Sequence, residues 1–313
     1  MRNRESGLPM NWLLYWITRL AIAGVQALPL NLVAWLGRRC GGLACRLDAR
    51  HRRVAHRNLT LIFGGEKSPA EIHALVRENF QRIGESFACG LKTAAMSDQA
   101  LARRTEAVGV EHLRADDPSL GRNRVLAIGH FGNFEVYARV GRNQLPFRYA
   151  TTYRALNVPG VNRAFQELRD RTGCLFFERR SEAGRLRRAM TEHPLMIGFL
   201  SDQHAGGKGL PLPFLGHIAS TTSAPAVFAA RYKCPLHAAV CYRTRPGHWR
   251  IEVSEAIPIE TPAGPRPVED VMRDVNRILE AAVRRDPANW FWVHRRWRPG
   301  VHRRPKPAAT GLP

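Results

Sequence analysis

Apolar residues dominate from Met10 to Gly37, with Arg19 the only charged position in that run. Residues 20–37 carry no charge and approach the length that crosses a hydrocarbon core. Gln26, Pro29 and Asn31 interrupt the pattern, and Arg38, Arg39, Arg46, Arg50, Arg52 and Arg53 follow at once. If the run spans a bilayer, this basic excess keeps the downstream chain on the cytoplasmic side. If it only lies on the surface, an apolar helix beside a basic cluster suits an anionic membrane. Two other arrangements compete: a buried helical hairpin broken near Pro29, and a cleaved leader at Ala21-Ile22-Ala23, against which Arg19 counts. Membrane association, single-pass or monotopic, is the favoured expectation.

Ser68-Pro69-Ala70-Glu71 has the form of a helix start, with a serine cap, proline at the first position and glutamate as box partner. Ile72, Leu75, Val76, Phe80, Ile83 and Phe87 continue it as one apolar stripe. The pattern then changes. Short apolar runs at 125–128, 147–152, 174–177, 195–200 and 236–242 alternate with helical segments near 159–172, 181–191 and 222–232. A further strand at 249–253 and a late helix at 268–285 complete the pattern. Strands alternating with helices predict an α/β fold, a layered sheet flanked by helices, behind an apolar helical N-terminal segment. The expected division is a membrane-associated segment at 1–60, an α/β domain with a helical lead-in at 61–299, and a basic disordered tail at 300–313.

Charge narrows the partners without choosing one. The 48 Lys and Arg against 26 Asp and Glu give a net charge of +22, which favours nucleic acid, anionic lipid, phosphorylated substrate or an acidic carrier protein. The cysteines, Cys40, Cys45, Cys89, Cys174, Cys234 and Cys241, form no CxxC pair and no metal-ligand rhythm, so reduced thiols and no metal are expected. Gly206-Gly207-Lys208-Gly209 lacks the spacing of a nucleotide-binding Walker loop.

The candidate chemistry sits where predicted strands end. Val125–Ile128 delivers Gly129-His130-Phe131-Gly132-Asn133-Phe134-Glu135. A neutral imidazole accepts a proton near neutral pH, and a carboxylate can fix its tautomer. On one continuous helix these two side chains would diverge by about 140°. The pair therefore requires His130 before the helix and Glu135 within its first turns. Tyr153-Arg154-Ala155-Leu156-Asn157 follows the next strand, and Ser201-Asp202-Gln203-His204 ends another. Carboxyl ends of strands are where α/β sites form. Arg154 suits an anion clamp, and Asp202 a substrate hydroxyl or an arginine. The stretch 287–297, dense in tryptophan and arginine, reads as core packing or a lipid interface ahead of a nucleic-acid surface.

Taken in order, these blocks resemble the bacterial lipid A biosynthesis acyltransferases, the lauroyl/myristoyl family of the wider lysophospholipid acyltransferase group. The likeness rests on residues 129–135 and 153–157, Asp202-Gln203, Phe214-Leu215-Gly216, Thr221-Thr222 and 290–297. It implies a glycerol-phosphate-acyltransferase-like sheet and transfer of a fatty acyl group from acyl carrier protein to a lipid hydroxyl. His130 is then the general base and Glu135 its orienting partner. Arg154, Asn157, Asp202 and Gln203 bind substrate, and backbone donors near Gly132 or Asn133 meet the oxyanion. No metal, bound cofactor or covalent acyl-enzyme is implied. The chain departs from the commoner family pattern at His204 and Leu215, which bears on the acceptor. The expected partners are acyl carrier protein, a phosphorylated lipid, most simply a lipid A precursor, and the cytoplasmic face of an anionic inner membrane; nucleic acid is not expected. The rivals are acylation of another lysolipid or a phosphoinositide mannoside, a thioester hydrolase, and a membrane-attached nucleic-acid-binding protein.

Overall fold

The computed structural model describes residues 8–114, 122–139, 145–179 and 181–298; the tail expected at 300–313 lies outside them. The apolar N-terminus forms two helices, α1 (Leu8–Ala27) and α2 (Leu30–Leu47), broken at Pro29. Among the described residues no helix is long and apolar enough to cross a membrane. The uncharged run 20–37 is divided between these two helices and does not form one continuous helix. A proline without an N–H starts a new helix more readily than it continues an old one, and each half has its own partner in the fold.

Helix α3 (Ala49–Phe63) follows, capped by the Asp48 side chain, which accepts from the His51 N–H at 3.0 Å. Helix α4 (Pro69–Thr93) starts with a full capping box: Glu71 N–H donates to Ser68 Oγ at 3.3 Å, and Ser68 N–H donates to Glu71 Oε2 at 2.8 Å. The backbones of α2 and α4 lie so close that a Cβ added to Gly41 would stand 2.1 Å from the Phe80 carbonyl oxygen. Only glycine permits that approach. The boundary expected at residue 60 falls inside α3, whose Ala55, Leu59 and Phe63 belong to the main core.

After a short helix α5 (Asp98–Ala102), strands β1 (Thr105–Val108), β2 (Arg124–Ile128) and β3 (Arg148–Tyr153) lead to helix α6 (Pro159–Asp170). Strand β4 (Leu175–Glu178), helix α7 (Ala183–Glu192) and strand β5 (Leu195–Leu200) follow. A hairpin β6 (Leu210–Phe214) and β7 (His217–Thr221) precedes helix α8 (Ala224–Tyr232). Strands β8 (Leu236–Arg245) and β9 (His248–Val253) and helix α9 (Val268–Arg285) end the regular structure. The sheet order is β1-β9-β8-β2-β5-β3-β4. Strands β8, β2, β5, β3 and β4 are mutually parallel, and within this sheet, among the described residues, only β8 and β9 pair antiparallel.

This mixed, mostly parallel sheet buries both faces, so β2 is buried at every position and β5 at all but its last. The main core joins α3, α4, α8 and α9 to one face, with Val125, Ala127, Leu195 and Ile197 pointing into it. Leu126, Ile128 and Met196 alternate onto the other face with Trp249 and Tyr149. Helix α1 packs on α6, where Ile22 meets Ala164 and Leu168, and Glu167 accepts from Tyr15 Oη at 2.8 Å and pairs with Arg19. The parallel strands place the ends of β2, β3 and β5 along one edge.

Candidate active site

His130 stands just past the carboxyl end of β2, beside Asp202 just past the neighbouring β5. Asp202 is buried, and its carboxylate receives three donors. His130 Nδ1 lies 2.9 Å from Oδ1, while the His130 backbone N–H and Trp290 Nε1–H donate to Oδ2 at 2.9 and 2.8 Å. Burial alone pushes a carboxyl upward, but the imidazole and these donors outweigh it and bring Asp202 down to about 2. A carboxylate only accepts, so Nδ1 carries the imidazole proton and the lone pair sits on Nε2. That nitrogen is the one available to a substrate hydroxyl. Gln203 Nε2 lies 3.4 Å from it, a long approach.

Around the imidazole, Phe134 and Phe291 stand at centroid distances of 5.1 and 5.7 Å, and Phe87 of α4 packs edge-on against both. These rings keep water from crowding one side of the imidazole. The His130 side chain is 15 % exposed, enough for access from the open side.

Glu135 goes elsewhere. The chain turns at Gly132, whose φ of +49° is left-handed, and residues 134–138 form a 3-10 turn. That turn aims Glu135 at α6, where its carboxylate pairs with Arg169 at 3.2 Å. The His130 partner in this structure is thus Asp202 and not Glu135, the partner expected from the sequence. The Gly132 N–H also differs from expectation: it donates to the Asn289 carbonyl at 3.2 Å and is therefore committed, not free for an oxyanion. A Cβ at Gly132 would lie 2.7 Å from the Cys241 carbonyl oxygen, so this glycine lets the site loop rest on β8. Asn133 is buried, and its Nδ2 lies 3.4 Å from Thr93 Oγ1.

Arg154 and Asn157 follow β3 on the same edge, and both are exposed. Arg154 makes no hydrogen bond or ion pair with another described residue, so its guanidinium is open to a ligand. A narrow cavity of about 50 Å³ leads from Phe134 between α4 and α6, lined by Phe87, Leu91, Val136, Phe165 and Leu168 and crossed by the Glu135–Arg169 pair. Cys241 lies beside the loop, donating from Sγ to the Asn133 carbonyl at 3.6 Å, but burial pushes its thiol far up, so it is no nucleophile.

The segment 287–297 contributes more than packing. Trp290 holds Asp202, and the Arg296 guanidinium, fully buried, donates to the Gln203 carbonyl at 2.8 Å, the Ser220 carbonyl at 2.5 Å and Thr221 Oγ1 at 2.8 Å. Burial lowers Arg296 to about 10. His294 accepts the His204 N–H at 3.0 Å, and burial lowers it to about 4. The segment is itself held from the helices. Asn58 Nδ2 donates to the Trp292 and His294 carbonyls at 2.9 and 2.8 Å, and Asn79 Nδ2 to those of Ala288 and Trp290 at 3.0 and 2.5 Å. The density of tryptophan and arginine in this stretch was the signal for these roles; which polar atoms they would meet was not visible.

Comparison with known proteins identifies the family. The profile of a family described as bacterial lipid A biosynthesis acyltransferase matches residues 2–299. The chain is 27 % identical over 298 residues to the lipid A biosynthesis lauroyltransferase of Escherichia coli (strain K12), covering 91 % of this chain and 92 % of that one. It is 23 % identical over 303 residues to the lipid A biosynthesis palmitoleoyltransferase of the same organism, covering 95 % and 94 %.

Proposed function

From the premise that the chain belongs to the bacterial lipid A biosynthesis acyltransferase family and is an acyltransferase, we propose that it moves a fatty acyl chain from acyl carrier protein to a hydroxyl of a phosphorylated lipid A precursor, with His130 as general base. The observation that carries this reading is the His130–Asp202 pair, whose Nε2 has only the long Gln203 contact, at the edge where β2, β3 and β5 end.

In the proposed reaction the acceptor hydroxyl gives its proton to His130 Nε2 as its oxygen attacks the thioester carbonyl carbon. Asp202 stabilises the resulting imidazolium and holds it in orientation. The tetrahedral intermediate collapses by breaking the carbon–sulfur bond, and the imidazolium returns its proton to the departing thiolate. The products are an ester and the carrier thiol. Arg154 and Asn157 receive the acceptor phosphate. The exposed Trp12, Leu13, Trp16, Ile17 and Leu20 of α1 support a monotopic seat on the cytoplasmic face of the inner membrane.

Incubating the protein with labelled acyl-carrier thioester, with and without a lipid A precursor, tests the reading. Acylated lipid is expected only when acceptor is present. Free fatty acid in both arms, with no acylated lipid, would instead make the protein a hydrolase. His130→Ala should lower transfer by about 10²–10⁴-fold with the fold unchanged.

A further inference from the structure

A second concavity, of about 730 Å³, lies between α2, α3 and α4 and shares no lining residue with the crevice beside His130. Arg77 on its wall and Gly90 at the crevice stand about 20 Å apart along α4. Its charge is unusual for a wall that binds nothing. Arg39 and Arg46 come from α2, Arg52 and Arg53 from α3, and Arg77 from α4. None of these guanidinium groups makes an ion pair with a described carboxylate. Arg39 stacks on Trp35 at 5.2 Å, Arg52 donates to the Cys45 and Arg46 carbonyls at 2.6 and 2.7 Å, and Arg53 donates to the Ala49 carbonyl at 3.2 Å. The carboxylates closest in sequence are already taken: Glu78 by Arg38 and Arg82, Asp48 by His51. Gathering like charges around one hollow raises the free energy of the empty site and lowers that of one holding an anion with several acceptor oxygens.

The rim indicates what carries that anion. Leu32, Trp35, Leu36, Leu43 and Leu47 form an exposed apolar stripe along α2, and Leu43 also lines the hollow. An arginine-walled hollow that opens onto an apolar helix face fits an amphiphile with a phosphate head. We infer that this hollow is a second lipid site, distinct from the acyl-transfer centre, that takes the phosphate headgroup of an anionic phospholipid while the α2 stripe meets its acyl chains. The inference rests on the reading that the protein works at a membrane surface. It would fix how the sheet edge bearing His130 is presented to the bilayer, because α2 and α4 are locked together at Gly41 and Phe80.

Vesicle sedimentation at low ionic strength tests it with the full chain. The double variant R53Q/R77Q removes charge from two walls of the hollow; R187Q/R188Q removes the same charge from the exposed face of α7. On vesicles of phosphatidylglycerol and phosphatidylcholine, R53Q/R77Q is expected to lose about tenfold or more of its partitioning. It should keep wild-type partitioning onto phosphatidylcholine alone, and wild-type turnover on detergent-dispersed substrates. R187Q/R188Q should stay within about twofold of wild type. Equal losses in both doubles would reduce the effect to net charge and overturn the site. Unchanged partitioning of R53Q/R77Q would do the same, and if it came with weaker binding of acyl carrier protein it would give the hollow to a protein partner. Wild-type protein that bound neither vesicle would sink the membrane reading together with the site, whereas wild-type binding with an inert R53Q/R77Q fails the site alone.

Discussion

At the scale of single residues, two carboxylates compete for the role of orienting His130, and the structure separates them by what each touches. Asp202 is buried and meets Nδ1, whereas Glu135 is about a third exposed and pairs with Arg169. Asp202→Asn replaces an acceptor-only group with an amide that can present a donor to Nδ1, favouring the wrong tautomer. It should cut kcat by about 10²–10⁴-fold. Glu135→Gln removes a half-open ion pair worth up to about 1 kcal/mol and should change turnover by less than about fivefold. Steady-state kinetics of the two variants decide between the carboxylates; a larger loss in Glu135→Gln would return the role to Glu135. A second residue-scale expectation concerns acid stability. His294 sits near 4 in the folded chain because burial disfavours its charge, against an ordinary value of 6.5. The unfolded chain therefore binds a proton that the folded chain refuses between those values. Its contribution is fully present above pH 6.5 and is lost as pH falls toward 4, at up to about 1.4 kcal/mol per pH unit. Urea midpoints measured from pH 7 to 4 should fall less steeply in His294→Gln, by about one proton's worth of slope.

At the scale of elements, what was readable in the sequence followed from periodicity, and what was hidden followed from contacts. Helix α9 begins and ends where its apolar spacing does, at Val268 and Arg285, and the capping box of α4 formed as Ser68 and Glu71 required. The hairpin of β6 and β7 was masked because Pro211 and Pro213 stand inside β6, which a two-stranded ribbon tolerates but a central strand would not. Strand β1, Thr105–Val108, is too short and too polar to announce itself. The placement of His130, Asp202 and Arg154 at strand ends was legible, because alternating strands and helices force parallel pairing. The aim of Glu135 was not, since it depends on a left-handed glycine and a 3-10 turn whose direction no spacing encodes. Nor does any pattern reveal that α2 and α4 touch backbone to backbone. Gly41→Ala places a methyl group against the Phe80 carbonyl and should cost about 1–3 kcal/mol. Equilibrium urea unfolding measures this, and a midpoint equal to wild type would show that the helices part without cost.

For the whole molecule, the N-terminal helices and the C-terminal segment form one mechanical unit beneath the site. Asn58 of α3 and Asn79 of α4 hold the carbonyls of residues 288–294, that segment supplies Trp290 to Asp202, and Asp202 sets His130. A buried network of this kind loses more than one bond when a member is removed, because the partner carbonyls are left in a dry interior. The N-terminal residues therefore belong to the support of the site. Helix α2 closes on α4, Glu85 of α4 accepts from Arg243 of β8 at 2.7 Å, and α3 contributes Leu59 and Phe63 to the core. Were residues 1–60 a detachable membrane segment, a fragment beginning at Leu61 would fold and retain transfer on detergent-dispersed substrates. It lacks Asn58 and exposes the α4 face that α2 covers, so it should show no cooperative urea transition and weakened near-ultraviolet ellipticity from the tryptophans of 290–297. A fragment beginning at Leu30, which loses only α1, should keep both and lose affinity for vesicles. A folded, active fragment from Leu61 would show that the site stands without the helices beneath it.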